Sequence, residues 1–248
     1  LTRRDCLVAL GGGVVGALTG FAAAVDLRGI PFVQIPTSLL AMVDSSVGGK
    51  TAVDLPAGKN LMGAFHQPSL VICDPLVLDS LSPQQFADGC GEVIKYGVIG
   101  NRPFFDSLST PIREQAEDVI AACVAAKRDI VANDERDAGQ RQLLNLGHTV
   151  GHGIEKLADF TIPHGHAVAM GMAVITRAAV RRGLCPPEDL NALLEMLRSY
   201  DLPAECPFPA AGLEAAMAAD KKRAGDRITL VVPHGIGDSR LLQIPMTE

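Results

Sequence analysis

The sequence predicts an α/β unit followed by a mainly helical one, and two observations carry that reading. Before about residue 78, short apolar runs at 6–10, 32–35 and 70–73 alternate with turns and helical stretches, the pattern of a parallel sheet with covering helices. After it, helical periodicity dominates and only 227–232 reads clearly as a strand. The division is therefore placed at 1–78 and 79–248.

The first element follows a stretch that invites a different reading. Residues 7–25 carry no charge and follow Arg3-Arg4, which raises a twin-arginine signal or a membrane span. The glycines in that stretch suit neither. It divides better into a buried strand at 6–10, a glycine turn at 11–16 and a helix at 17–25. Strand, glycine turn and helix form a place where backbone N–H groups meet a phosphate. Glycines also let a helix pack closely on a sheet, and the pattern alone leaves both readings open.

A second strand at 32–35 ends at Pro36-Thr37-Ser38, and a short helical run at 39–43 leads into a loop at 44–51. That loop ends Gly48-Gly49-Lys50-Thr51. A P-loop requires glycine at position 44, where Asp44 stands, so a nucleoside-triphosphate P-loop is excluded. Gly58-Lys59-Asn60 again joins glycine to lysine. Asp44, Lys50, Lys59 and Asn60 thus give a polar loop pair at the edge of a sheet, where α/β proteins bind ligands. The third strand, 70–73, stops at Asp74-Pro75. Helices are expected over 83–99, with Pro83 at a tolerated early position, and over 111–133, 146–158 and 165–182. Pro-rich 201–209 reads as a loop.

Composition narrows the function. A net charge of −6, 4% aromatic residues and no Trp argue against a nucleic-acid binder. The six cysteines form no C-x-x-C pair, which argues against a four-thiolate zinc site and suits the free thiols of a cytoplasmic protein.

Chemistry gathers in the second half. Lys127 falls within the apolar stripe Ile120, Cys123, Val124, Ile130 and Val131. It is either a snorkelling stem or a lysine held near a cleft for an anion. His148 and His152, four apart, share one helix face, and Arg141 and Asn145 continue that spacing backwards. With His164 and His166, four histidines lie within 19 residues. Imidazole suits zinc, and a catalytic zinc takes three protein ligands and keeps a position open. Glu92, on a mostly uncharged segment, offers a third ligand or a surface pair with Lys95.

Taken together, Gly11–Gly16, Arg28-Gly29, Pro36-Thr37, the run from Val43 to Val53, Gly58-Lys59-Asn60-Leu61, Gly63-Ala64-Phe65, Glu92 to Gly97, Leu144 to His152 and His164-Gly165 occur in an order that resembles the 3-dehydroquinate synthases, within the sugar phosphate cyclase family. The resemblance runs from about residue 6 to 237. It implies a partial Rossmann-like NAD-binding domain followed by a helical metal- and substrate-binding domain, and NAD and zinc as cofactors, with cobalt or iron also compatible. It implies Glu92, His148 and His164 as metal ligands, and Gly12, Gly13, Val14, Thr37, Ser38 and Lys59 as NAD contacts. Arg28, Asp44, Lys50, Asn60 and Lys222 would bind substrate. Lys95, Lys127, Asp137, Arg141, Asn145 and His152 would serve catalysis. The implied reaction takes a hydride from a ring hydroxyl carbon, eliminates phosphate, returns the hydride and closes a carbocycle by an intramolecular aldol step.

The chain departs from the family pattern at three positions and in extent. Ala17 stands where an Asp usually contacts the cofactor, Asp137 where a Glu is usual, and His166 where a Glu usually follows the third metal ligand. Family members also begin earlier, with the first strands of the NAD domain. An exposed sheet edge and weak NAD binding are the expectations from this. The partner expected is a small phosphorylated sugar acid, with no nucleic acid, no membrane and a homodimer as the default assembly. Other readings are another sugar phosphate cyclase, an alcohol dehydrogenase of the glycerol dehydrogenase type, and a non-catalytic remnant. The lysines at 50, 59, 95 and 127 favour a phosphorylated, acidic substrate over the dehydrogenase.

Overall fold

A computed structural model describes residues 1–55, 58–221 and 227–245, without the side chains of 58, 59 and 218–221. The chain forms two compact units. The first comprises Leu1–Gly89 with Gln115–Asp137, the second Cys90–Glu114 with Ala138–Glu248.

In the first unit, β1 (Leu7–Gly11) leads into α1 (Gly13–Val25). The helix therefore starts inside the glycine run that the sequence suggests as a turn. Gly12 caps it in extended conformation, while Gly16 and Gly20 are buried against the sheet. A Cβ on Gly16 would stand 2.6 Å from Gln34 Oε1, and one on Gly20 2.5 Å from Thr51 Cγ2. The close-packing reading holds at Gly16, within the run, and at Gly20 beyond it. At 13 residues, α1 is roughly 20 Å long, short of a bilayer core. No helix among the described residues is long and apolar enough to cross a membrane.

β2 (Phe32–Pro36) pairs parallel with β1, Leu7 opposite Phe32, and β5 (Leu70–Val71) pairs parallel with β2, giving the order β1-β2-β5. Phe32, Ile30 and Ala23 form the core beneath α1, with Leu7 packed against them. Between β2 and β5 the chain makes a π-helical turn, Ala41–Ser45, and then an antiparallel hairpin of β3 (Lys50–Leu55) and β4 (Gly58–Phe65). The loop expected at 44–51 holds over 46–49, between the end of the π turn and the start of β3. A 3₁₀ turn, Pro75–Ser80, follows β5, with the Asp74 side chain accepting from the Leu76 N–H at 3.0 Å.

α2 (Pro83–Gly100) begins in the first unit and ends in the second. α3 (Arg102–Ser107) follows, then a 3₁₀ turn (Ile112–Gln115) and α4 (Ala116–Asn133). The single helix expected over 111–133 is broken at Gln115, whose φ of −131° is not helical. α4 returns to the first unit, where it packs on the π turn. The compact units therefore do not coincide with the division expected at residue 78. A change of sequence pattern marks where strands stop, whereas packing also recruits the later helix α4.

The second unit is built on α5 (His148–Leu157), α6 (His164–Arg181), α7 (Pro187–Ser199) and α8 (Ala210–Lys221). Val150, Ile154, Ala167, Met170 and Leu213 form its core. A hairpin of β6 (Arg227–Gly235) and β7 (Asp238–Pro245) stands where one strand was expected, and Val232 packs with Ala179 and Cys185.

Among the described strands, β1 lies at the edge of its sheet. Val8 and Leu10, on one face of β1, are 59% and 64% exposed, although parallel sheets are normally covered on both faces.

Candidate functional site

The second unit brings three sequence-predicted ligands to one point. Glu92 lies on α2, and His148 and His164 are the first residues of α5 and α6. Helix starts suit this duty because Gly147, at φ 77°, turns the chain sharply into α5. Gly91 similarly lets α2 approach α6, since a Cβ there would stand 2.5 Å from the Gly165 carbonyl oxygen. His148 Nε2 is 3.4 Å and His164 Nε2 3.3 Å from Glu92 Oε1. Ligand atoms of the three residues lie within 4.8 Å of one another. One carboxylate and two imidazoles fit a divalent ion with a position left open.

Lys95, one turn along α2, ion-pairs with Glu92, and both side chains are buried at 1% and 0% exposure. His152 is exposed on α5, its ring 5.5 Å from that of His148 and 6.0 Å from that of His164. Arg141 is buried and Asn145 exposed on a 3₁₀ turn, Gln140–Asn145. These two do not share a helix face with the histidines, as their spacing suggests. Leu146 and Gly147 interrupt the helix, because ψ is 127° at the first and φ 77° at the second. His166 is partly buried on the first turn of α6.

Sequence reasoning passed over Glu155. It is buried on α5, with Oε1 3.3 Å from His164 Nδ1. Its signal was available: it lies three residues after His152 and seven after His148, on the same face of the helix.

His148 and His164 differ in protonation. Burial pushes His148 down to about 3, against the pull of Glu92, so it is neutral at ordinary pH. Its Nδ1–H then donates to the Leu146 carbonyl at 3.0 Å, leaving the Nε2 lone pair for a metal. Burial also opposes charge on His164, but hydrogen bonds to Glu155 and Glu92 outweigh it and raise the group to about 10. A raised histidine stabilises the metal-free fold fully below its ordinary value of 6.5, and that contribution is lost as pH rises through about 10. A metal taking Nε2 must displace this proton. Calorimetry at neutral pH in two buffers of different ionisation enthalpy should therefore show close to one proton released per ion bound. Release of none would contradict the assignment.

The first unit gathers the remaining residues in two places. Gly12 and Gly13 stand where β1 passes into α1, and Val14 is 82% exposed on its first turn. Thr37 and Ser38 follow β2, and the Thr37 N–H donates to the Gly11 carbonyl at 2.9 Å. Both turns lie at the C-terminal ends of adjacent parallel strands, where open α/β sheets take ligands. A Cβ on Gly13 would come 2.9 Å from Ser45 Oγ. The first turn of α1 holds no acidic residue, so its N–H groups face no fixed negative charge on that turn. This cradle suits a pyrophosphate such as that of NAD.

In the second place, Lys127 of α4 is 7% exposed. Its ammonium donates to the Asp44 carbonyl at 2.7 Å and pairs with Asp44 Oδ1 at 3.0 Å. It does not snorkel to water. Lys50 ion-pairs with Asp137, which sits at φ 61°. The shorter acid thus still reaches a lysine. Asn60 is exposed, with φ of 54° and its N–H donating to Asp54 Oδ1 at 2.8 Å. Arg28 is exposed beside Gly29. Lys222 lies outside the described residues, as does the side chain of Lys59. A cavity of about 650 Å³, lined by Val47, Gln67, Val71, Ile120 and Val124 among others, includes none of the predicted site residues.

Comparison with known proteins gives a consistent picture. Residues 1–88 match the family described as 3-dehydroquinate synthase N-terminal, and residues 89–223 that described as 3-dehydroquinate synthase C-terminal. A 3-dehydroquinate synthase of Caulobacter vibrioides is 49% identical over 254 residues, covering 96% of this chain and 69% of the relative. Among solved structures, 2-epi-5-epi-valiolone synthase from Streptomyces hygroscopicus, with NAD+ and Zn2+ bound, superposes with a TM-score of 0.91 at 28% identity, covering 100% of this chain and 72% of its own. A 2-deoxy-scyllo-inosose synthase complexed with carbaglucose-6-phosphate, NAD+ and Co2+ gives 0.88 at 29% identity, with coverage of 100% and 73%.

Proposed function

Because the chain belongs to the 3-dehydroquinate synthase family, we propose that it converts 3-deoxy-D-arabino-heptulosonate 7-phosphate to 3-dehydroquinate and phosphate, a step of the shikimate pathway toward aromatic amino acids. The observation that carries the reading is the convergence of Glu92, His148 and His164.

NAD, when bound, accepts and returns a hydride, and a divalent ion polarises the oxygen of the carbon being oxidised. Zinc is the proposed ion, with cobalt as a substitute, since the donor set accepts either. Gly12, Gly13, Val14, Thr37, Ser38 and Lys59 are proposed to hold NAD. Lys50, Lys95, Lys127, Arg141, Arg28 and Lys222 neutralise the phosphate and carboxylate of the substrate. Asp44, Asn60 and Asn145 orient its hydroxyl groups. His152, exposed beside His148 and His164, is proposed to carry a proton. Asp137, paired with Lys50, holds that lysine ready for the anion. The working assembly is proposed to be a homodimer. The six free cysteines suit a reducing cytoplasm.

The test is phosphate release by the purified chain, given the seven-carbon substrate, NAD and zinc. Release that requires all three, stops with chelator and leaves no net NADH supports the proposal. Turnover of glucose 6-phosphate in place of the seven-carbon acid would move the chain to the 2-deoxy-scyllo-inosose synthases. Net accumulation of NADH would make it a dehydrogenase.

A further inference from the structure

We propose that Glu155 is a positioning residue of the metal centre, holding His164 by Nδ1 so that Nε2 is presented to the ion. The inference rests on the proposed metal reading and extends it to a residue outside the ligand set.

Each ligand histidine has one nitrogen tied back and the other turned to Glu92. His148 donates from Nδ1 to the Leu146 carbonyl at 3.0 Å and places Nε2 3.4 Å from Glu92 Oε1. His164 makes the same arrangement with a side chain as its anchor: Nδ1 is 3.3 Å from Glu155 Oε1, and Nε2 3.3 Å from Glu92 Oε1. Glu155 is 2% exposed on a helix that also carries His148 and His152. A carboxylate behind a ligand imidazole fixes its tautomer and ring plane and makes the far nitrogen a stronger donor.

The geometry also defines a rival. His152, Glu155 and His164 form a second group with ligand atoms within 4.8 Å, in which Glu155 itself would be a ligand. That group ends in an exposed histidine, whereas Glu92 is fully buried and the His148 side chain is 12% exposed. A metal there would also have to displace the Glu155 carboxylate from His164 Nδ1. The first group is therefore the metal centre, and Glu155 supports it from behind.

The experiment measures zinc affinity by competition with a chromophoric chelator, together with the visible spectrum of the cobalt form. It compares the wild-type chain with Glu155→Ala, Glu155→Gln and His152→Ala. Glu155→Ala should weaken metal binding by about 10–100-fold, the usual effect of losing such a support, and should alter the cobalt bands. Glu155→Gln keeps an acceptor oxygen and should recover part of the affinity. His152→Ala should leave affinity and spectrum near wild type. Melting of the metal-free proteins checks the fold, and if Glu155→Ala does not fold, the Gln variant decides. Wild-type affinity and spectrum in the Glu155 variants would overturn the positioning role alone. Equal losses in His152→Ala and Glu155→Ala would make Glu155 a ligand instead. A wild-type chain that takes up neither zinc nor cobalt would remove the metal centre and this role together.

Discussion

Glu92→Ala is expected to abolish phosphate release and to destabilise the metal-free fold by about 3–5 kcal/mol, the size expected when one partner of a buried ion pair is removed. Glu92 is fully buried and Lys95, its partner, is 1% exposed. Removing the carboxylate leaves an ammonium in the interior with its counter-charge gone, and also takes away the carboxylate that His148 and His164 face. The two consequences separate in a double variant. Glu92→Ala with Lys95→Met removes both charges, so most of the lost stability should return in chemical denaturation while phosphate release stays absent. If the single variant is no less stable than wild type, the pair is not a buried charge couple.

The second large effect is expected at Lys127. Lys127→Met keeps the length of the side chain and removes its charge. If the ammonium serves an anionic substrate, kcat/KM should fall by about 10²–10³, the usual loss when one preorganised donor to a developing or fixed negative charge is deleted. Stability should fall as well, by about 1.5–3 kcal/mol, because the Asp44 carbonyl and carboxylate lose a charged donor. Activity per folded molecule is the quantity that decides. If it is unchanged once the melted fraction is discounted, Lys127 merely ties α4 to the π turn.

The order of the first strands and the helical second half were legible because each has a local signature, whereas the proposed ligand set came from the resemblance to a known family. Short apolar runs mark 6–10 and 32–35, and the spacing of His148 and His152 marks a helix face. What was not legible depends on distant partners. β3 and β4 carry glycines at 58 and 63 and polar residues at Lys50, Lys59 and Asn60, which break strand alternation. They become strands because each supplies the other's hydrogen bonds. β7 was overlooked for the same reason, although Gly237 at φ 91° makes a tight turn after β6. Arg141 and Asn145 appeared to extend the histidine face because periodicity ignores a break as short as Leu146-Gly147. Glu155 escaped notice because a carboxylate three residues from a histidine is common on exposed helices. Its spacing from His148 and His152 is a weak signal, and its burial against His164 gives that spacing weight.

The return of α4 to the first unit has a consequence for how the chain can be made and divided. The polypeptide passes between the units inside α2, again after Glu114 and a third time after Asp137. The sheet of the first unit thus waits for a helix synthesised after the second unit has begun. A cut near residue 88, where the two family halves meet, would sever α2 and strand α4 with the wrong partner. The compact units are interleaved across the halves that the sequence families recognise. Exchanging one half between relatives therefore transplants part of each body, and a chimaera made at that seam must re-create the packing of α4 on the π turn from two different ancestries.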